Sequence, residues 1–323
     1  MHTRHAYLIM AHHQFDVLER LISQLDDERN DIYLHIDKKV SHFDFKKIRS
    51  LALKSSVYFV PRINVNWGGY SQIQCELILL KAAVQRHYRY YHLLSGSDLP
   101  LKTQDEIHTF FQYYDGIEFV HFSKETKPEM KKIYSRISRY HLFQDTASRF
   151  PFKKLQFYTT ALDKSVLLFQ RIIRTNRLKQ APFTLKFGSS WFSITDECAN
   201  FVISKEPWIE QFFSRSKCAD ELFLQTLLYH SPFKKRLAVK RSDQEQYSNM
   251  RKIDWGKKPK RKNPSIWTGT DYGNLVSSDA LFARKFDSAV DSTIIESLCM
   301  YLDSKKFTQQ ETSKRQERDV LNS

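Results

Sequence analysis

The amino-acid sequence predicts an α/β fold in which a mostly parallel sheet carries helices on both faces. Strand-like and helix-like segments alternate along the first part of the chain, which is the order that parallel strands require. Of the 323 residues, 41% are hydrophobic and 14% aromatic, which suffices for a large core and excludes a disordered chain. The chain has only 8 glycines and 9 prolines, which excludes collagen-like and low-complexity sequences.

The elements of the first half follow from their hydrophobic period. Continuous apolar runs in AYLIMAHH, DIYLHID, VYFV and YYHLLSGSD predict buried strands. In FDVLERLISQL the apolar residues recur every three or four positions, which predicts an amphipathic helix. Further helices are predicted over residues 45–51, from residue 71 to about 85, and at DEIHTFFQYY.

The second half is less regular. Residues 118–185 are basic and aromatic, and they form either a loop-rich insertion or a helical region over the site. Then KFGSSWFSIT predicts a strand, DECANFVISKE and CADELFLQTLLYHSPF predict helices, and RKIDWGKKPKRKNP predicts a basic loop. We expect one domain over residues 1–303, followed by a polar tail (304–323) that is frayed or loosely helical.

Charge and cysteine content restrict the function. The net charge of +15 favours anionic partners, namely nucleic acid, an acidic membrane surface, or phosphorylated and nucleotide substrates. The 4 cysteines show no close pairing, which indicates buried thiols rather than disulfides or a zinc site. No segment reaches about 18 consecutive apolar residues. We therefore expect a cytoplasmic protein that rests peripherally on a membrane.

Polar side chains follow three of the predicted strands, where ligands of parallel α/β sheets bind. They are His12 with His13, Asp37, and Asp98 at the end of HLLSGSD. Asp98 either faces a ligand or caps the turn that ends its strand. The chain contains no Asp-x-Asp pair, and its histidines fit no metal signature, so we predict no metal site.

Further candidates lie later in the chain. Without a metal, a pyrophosphate needs cationic side chains, for which Arg251, the run at residues 257–262 and the pair Arg284-Lys285 are available. The run is equally typical of a solvated surface or a nucleic-acid patch. In ADELFLQTLL, the two acids either complement a helix dipole or supply a carboxylate base. The stretches WGGY and GSSW are typical either of turns with core aromatics or of sugar and uracil contacts.

Six stretches occur in the order seen in one enzyme family. AYLIMAHHQFDVLERLISQL, IYLHIDKK, HLLSGSDLPLKT, GSSWFSIT, ADELFLQTLL and LFARKFD resemble the core-2/I-branching β-1,6-N-acetylglucosaminyltransferases, whose family includes peptide O-xylosyltransferases. The resemblance runs from about His5 to Asp287. It implies a GT-A-like fold, a UDP-sugar donor, inversion at the anomeric carbon and no metal requirement. The sequence lacks the cysteine framework, anchor and stem of the animal enzymes, so we expect a bacterial member.

The resemblance also implies roles for single residues. Glu221 matches the glutamate of the family's DEF motif, the catalytic base. Lys285 matches the lysine of the FANKFD motif, which contacts the diphosphate, and an ungapped count places a second basic contact near Lys262. Residues 1–117 would bind the nucleotide, and residues 118–303 the acceptor. The other implied contacts are His12, His13, Asp37, Trp67 and Asp98 for the UDP-sugar, and Glu125, Arg136, Ser190, Trp191 and Asp220 for the acceptor.

The predicted activity is transfer of a sugar from UDP to a glycan or lipid-linked oligosaccharide in surface polysaccharide synthesis. N-acetylglucosamine is the first expected sugar, with xylose, galactose and glucuronic acid as alternatives. A nucleic-acid-binding protein that uses residues 257–262, and a non-catalytic sugar-binding homologue, are the competing classes. We expect contact with an anionic membrane and no nucleic-acid partner.

Overall fold

The computed structural model describes residues 3–145, 153–179, 181–238, 249–256 and 264–321. The strands are β1 His5–Ala11, β2 Asn30–Ile36, β3 Ser56–Phe59, β4 Tyr90–Ser95, β5 Leu99–Pro100, β6 Phe119–Val120, β7 Phe192–Thr195, β8 Arg251–Ile253 and β9 Phe282–Arg284. The helices are α1 Phe15–Leu25, α2 Phe45–Leu51, α3 Ser71–Val84, α4 Gln104–Tyr113, α5 Lys127–Ile137, α6 Lys153–Ile172, α7 Asp196–Ser204, α8 Glu206–Phe213, α9 Phe223–Tyr229, α10 Tyr272–Val276 and α11 Ser292–Leu321.

A six-stranded sheet with the order β3-β2-β1-β4-β7-β6 forms the centre of the fold. Strands β1 to β4 are parallel. Strand β7 is antiparallel to both of its neighbours, so β6 points the same way as β1 to β4. The predicted α/β architecture with a mostly parallel sheet is confirmed.

Helices cover both faces of this sheet, and each face has its own hydrophobic core. One core includes residues of α3, α7, α8 and α9, and the other includes residues of α1, α2, α4 and α11. In helix α1 the apolar residues that recur every three or four positions are all buried on one side, namely Leu18, Leu21, Ile22 and Leu25. This one-sided burial is the reason that the sequence pattern predicted the helix. Helix α4 begins with a capping box between Thr103 and Glu106, and α11 packs against α1.

A second sheet of three short strands, in the order β5-β9-β8, lies next to the end of β4. Strand β9 is antiparallel to β5 and parallel to β8. The sequence did not predict this sheet, and the expectation that RKIDWG is a loop is wrong at its start, where β8 forms. Strands of two or three residues carry too little of the period-2 pattern to be recognised.

The region of residues 118–185 is helical in the part that the structure describes, with α5 and α6 as its main elements. Two other predictions need correction. The strand predicted at KFGSSWFSIT is limited to β7, and the helix predicted at CADELFLQTLLYHSPF is limited to α9. The polar tail continues α11 to Leu321, where Lys305 forms a 2.6 Å ion pair with Glu106.

All 4 cysteines are free thiols, and Cys75, Cys198 and Cys299 are buried as predicted. In the described ranges, no helix is both long and apolar enough to span a bilayer.

Candidate active site

Several of the predicted site residues lie in segments that meet at the carboxyl edge of the central sheet. Parallel pairing places the ends of β1, β2 and β4 at this edge, with Met10 beside both His35 and Ser95. Because β7 is antiparallel, its first residue, Phe192, lies at the same edge, and so does the GSSW segment that precedes it. The topology therefore brings segments of both halves of the chain together.

The SGSD turn after β4 is closed by its own aspartate. The Asp98 side chain is only 1% exposed, and its carboxylate accepts hydrogen bonds from the Ser95 N–H at 3.0 Å and from the Ser95 hydroxyl. A Cβ atom on Gly96 would lie 2.8 Å from the Cβ of Ala11, so the turn packs directly on β1. Of the two interpretations of Asp98, the geometry supports the cap rather than a ligand contact.

His12, His13 and Asp37 follow β1 and β2 at this edge, and both histidines lie close to Lys285. The rings of His12 and His13 are stacked with centroids 4.1 Å apart. Asp37 is buried and accepts hydrogen bonds from the N–H groups of Lys39 at 2.9 Å and Val65 at 3.3 Å.

Burial disfavours the protonated form of both of these histidines. It is the main cause that lowers the pKa of His12 to about 4, followed by the proximity of His13, and the charge of Lys285 acts in the same direction. For His13, burial and then the charge of Lys285 lower the pKa. The nearby positive charges are those of Lys285, of Lys39 at His12 and of Arg284 at His13, and each of them disfavours protonation of the ring beside it.

Two arginines beside this site have different surroundings. Arg251 is buried and donates hydrogen bonds to the carbonyls of Asn249 at 2.6 Å and Phe192 at 2.7 Å, and burial lowers its pKa to about 9. The prediction that Arg251 is available for a pyrophosphate is wrong, because its side chain is buried and joins the two sheets.

Arg284 is arranged differently. Its guanidinium stacks over the ring of Trp191 at 4.0 Å, its side chain is 14% exposed, and its Nε lies 3.8 Å from Asp98. Within the described ranges, its Nε and Nη1 have no hydrogen-bond partner. It is thus a fixed cation with donors to spare, next in sequence to Lys285. The other predicted diphosphate contact, Lys262, lies outside the described residues.

The predicted base lies in a 3₁₀ turn, Ala219–Glu221, that precedes α9. The expectation that Asp220 and Glu221 occupy the first turn of an α-helix is therefore wrong. The Glu221 side chain is 38% exposed, and its Oε2 accepts a hydrogen bond from Nη1 of Arg136 at 2.6 Å. An exposed carboxylate with one oxygen fixed is suited to accept a proton through the other.

The GSSW segment holds this turn from the other side. The N–H of Gly188 donates to the carbonyl of Glu221 at 3.0 Å. A Cβ on Gly188 would lie only 1.8 Å from the carbonyl oxygen of His121, so the position requires glycine. The ring of His121 accepts a hydrogen bond from the N–H of Ser189 at 3.0 Å, a role that sequence reasoning missed.

Asp220 is buried beneath its neighbour. Burial, followed by the negative charge of Glu221, raises the pKa of Asp220 to about 7. Its Oδ2 accepts a 3.2 Å hydrogen bond from Gln72, and its Oδ1 has no partner in the described part of the chain. Glu76 is also buried, and burial and then the charge of Asp220 raise its pKa. The burial of Asp220 leaves little of it for the predicted contact with an acceptor.

Gln72 joins the Ala219–Glu221 turn to the WGGY segment. Its amide oxygen accepts a hydrogen bond from the N–H of Gly68, while its amide nitrogen donates to Asp220. The N–H of Cys218 donates to the carbonyl of Gly68 at 2.8 Å. Trp67, adjacent to this glycine, is 66% exposed and so presents an aromatic face beside the turn.

Some of the residues predicted to contact the acceptor form contacts with other site residues, and the rest do not. Arg136 contacts Glu221, and Trp191 contacts Arg284. Glu125 instead forms an ion pair with Lys186. Ser190 is half-buried in the segment between Gly188 and β7.

Across the residues that the structure describes, no three His, Cys, Asp or Glu side chains are grouped so that they could hold a metal ion. Cationic and carboxyl side chains lie together at the carboxyl edge of the sheet, namely Lys285, Arg284, Asp37, Asp98 and Glu221.

Comparisons with known proteins show which family the chain resembles. A family model described as "Core-2/I-Branching enzyme" matches residues 5–276. A mouse N-acetyllactosaminide β-1,6-N-acetylglucosaminyl-transferase is 24% identical over 331 residues, which cover 95% of this chain and 74% of that protein. Rat xylosyltransferase 2 is 24% identical over 323 residues, which cover 93% of this chain but only 34% of that protein.

Solved structures give a more distant likeness. Core-mannan synthase A from Aspergillus fumigatus, in its Mn/GDP form, aligns with 68% of this chain and 70% of its own, at 14% identity and a TM-score of 0.30. Mouse xyloside xylosyltransferase 1 aligns with 70% of this chain and 81% of its own, at 11% identity and a TM-score of 0.30.

Proposed function

Because the chain belongs to the core-2/I-branching enzyme family and is a glycosyltransferase, we propose that it transfers a sugar from a UDP-sugar to a glycan hydroxyl with inversion. The observation that carries this proposal is the setting of Glu221. Its carboxylate is exposed at the ligand-binding edge of the sheet, with Arg136 on one oxygen and Gly188 on its backbone. An inverting transfer needs one base in this kind of position.

In the proposed mechanism, Glu221 accepts the proton of the acceptor hydroxyl through Oε1, while Arg136 holds Oε2. The hydroxyl oxygen forms the new bond to C1 of the sugar as the bond from C1 to the UDP oxygen breaks on the opposite face. The structure supports this division of roles because the Arg136 contact is made to Oε2. The product is a glycoside with the opposite anomeric configuration, together with UDP.

Cationic side chains would stabilise the negative charge that develops on UDP. We assign this role to Lys285 and, by resemblance, to Lys262, and we propose Arg284 as a third cation, since its Nε and Nη1 have no hydrogen-bond partner in the described part of the chain. A guanidinium can hold a phosphate through two parallel hydrogen bonds. On this basis we propose a reaction that needs no metal, in line with the absence of an Asp-x-Asp pair from the sequence.

The mouse relative favours N-acetylglucosamine as the sugar, and the rat relative makes xylose the alternative. We propose a glycan or lipid-linked oligosaccharide as the acceptor, and a cytoplasmic protein in peripheral contact with an anionic membrane.

A UDP-release assay tests the proposal. The wild-type protein is incubated in EDTA with acceptor glycans and with UDP-N-acetylglucosamine, UDP-xylose, UDP-galactose or UDP-glucuronic acid in turn. We expect release with one donor, and a loss of about 10²–10⁴-fold in kcat for Glu221→Gln. Glu210→Gln, which changes an exposed glutamate on α8, should keep normal turnover. Near-normal turnover of Glu221→Gln at saturating donor would refute the base assignment, and abolition of turnover by EDTA would refute metal independence.

A further inference from the structure

Helix α6 exposes a row of large apolar side chains. This row, which we name the α6 apolar stripe, includes side chains that are between 49% and 71% exposed. Its members are Tyr158, Leu162, Leu168, Phe169, Ile172 and Ile173. Most of them recur every three or four positions, so they share one side of the helix. The N–H of Ile173 donates to the carbonyl of Phe169 at 3.0 Å, which continues the helical pattern by one residue.

The opposite side of α6 is anchored to the protein. Gln170 is buried, its amide oxygen accepts a hydrogen bond from the N–H of Tyr140 at 2.8 Å, and its amide nitrogen donates to the Tyr140 carbonyl at 2.9 Å. Since this face is fixed, the stripe points away from the core. A contiguous exposed apolar row on a soluble domain marks an interaction surface, whereas single exposed residues such as Leu53 need no explanation.

Exposed cations accompany the stripe. Lys164 and Arg171 lie on α6 itself and flank the stripe on one side, Arg174 follows the helix, and Lys131 and Lys132 lie on α5. A helix with an apolar face flanked by Lys and Arg binds the interface of an anionic bilayer, where lipid charges are complementary and side chains enter the acyl region. A second copy of this chain would instead bring the same positive charges together, and the net charge of +15 strengthens that repulsion.

We propose that the α6 apolar stripe is the surface through which this protein docks on an anionic lipid membrane. The proposal deepens the proposed function and rests on it. Arg136 on α5 contacts Glu221, and Tyr140, which follows α5, exchanges hydrogen bonds with Gln170 on α6. The docking surface is thus linked through this segment to the acceptor side of the site. A lipid-linked acceptor would then reach the site without leaving the bilayer.

Vesicle co-sedimentation tests the proposal with the full chain. Wild-type protein should sediment with vesicles of phosphatidylcholine and phosphatidylglycerol and much less with pure phosphatidylcholine. Phe169→Ser combined with Ile172→Ser should weaken this binding about tenfold per side chain. The matched control, Leu53→Ser combined with Met300→Ser, removes exposed apolar side chains elsewhere and should bind like the wild type.

The cations are tested in the same way. Lys164→Glu combined with Arg171→Glu should weaken binding to the anionic vesicles by at least about fivefold per residue and leave the residual binding to neutral vesicles unchanged. All of these positions are exposed, and an unchanged Tm verifies that each variant is folded.

Three outcomes would overturn the proposal. Wild-type binding could be equal on anionic and neutral vesicles, or the control variant could lose as much binding as the stripe variant. Light scattering could also show a wild-type dimer that the stripe substitutions dissociate, which would make a second copy the occupant. UDP release with a water-soluble acceptor separates the two proposals. The stripe variants should release UDP as the wild type does, because this acceptor does not require docking. If the wild type binds anionic vesicles but releases no UDP, only the proposed function is refuted.

Discussion

The buried carboxyl group of Asp220 should make the stability of the protein depend on pH, and Asp220→Asn tests this. Burial and the charge of Glu221 raise the pKa of Asp220 from 3.8 to about 7 in the folded state. The unfolded chain has the ordinary value, so between these two pKa values the folded state holds a proton that the unfolded state has lost. The free energy of unfolding therefore falls as the pH rises through this window.

The size of the effect follows from the pKa shift. One pKa unit corresponds to about 1.36 kcal/mol, so a shift of about three units costs roughly 4 kcal/mol of stability above pH 7. This is a large part of the roughly 5–15 kcal/mol by which domains are stable. Asp220→Asn removes the titrating group, so the variant should not lose this stability as the pH rises. Its free energy of unfolding relative to the wild type should therefore be up to about 4 kcal/mol more favourable above pH 7 than at low pH. Glu76, whose pKa is shifted in the same direction, keeps part of the pH dependence in the variant.

Urea unfolding followed by circular dichroism at about pH 5 and about pH 8 measures this difference. The wild type should lose more stability between the two conditions than Asp220→Asn does. Asp279→Asn, which changes an exposed aspartate, provides the matched control and should follow the wild type. Equal losses in all three proteins would refute the reasoning that burial controls this carboxyl group.

Three further substitutions have defined outcomes. Gly188→Ala should lower kcat about 100-fold, because its Cβ would lie 1.8 Å from the His121 carbonyl oxygen and displace the Glu221 turn. The control Gly273→Ala, whose Cβ would have nothing within 4 Å, should keep the wild-type kcat. Equal rates for the two variants in steady-state assays would contradict this. Arg284→Met should raise the KM for the UDP-sugar about tenfold or more without lowering Tm, and an unchanged KM would remove Arg284 from the diphosphate site. Arg251→Met should instead cost about 3 kcal/mol of unfolding free energy, since it leaves buried carbonyls unpaired, and a normal denaturation midpoint would show that it does not join the sheets.

The sequence predicted the central sheet well because buried parallel strands and amphipathic helices leave strong periodic patterns. The predicted bounds of α2, residues 45–51, are those observed, and α1 and α3 agree within a residue. The small sheet was missed because its strands are too short for a period and pair with segments far away in the chain. Strand β9, for example, pairs with β5, which lies almost two hundred residues earlier.

For the site, the sequence indicated the residue types and the edge of the sheet, but not the pairs. The contact between Arg136 and Glu221 joins residues 85 positions apart, and the stacking of Arg284 on Trp191 joins two distant segments. Such pairs depend on tertiary packing and leave no local signal. The role of Asp98 was likewise open, because a carboxylate after a strand can either contact a ligand or cap the turn. Only the three-dimensional structure, in which Asp98 is buried, distinguishes the two roles.

The small sheet has a consequence for how the protein would handle a charged donor. Arg284 ends a strand that is hydrogen-bonded on both sides, by β5 and by β8, and its side chain is stacked on an aromatic ring. Its conformational freedom is thus lost when the chain folds rather than when a nucleotide arrives. Preorganisation of this kind removes an entropic penalty from binding and keeps the cation in position throughout the turnover cycle.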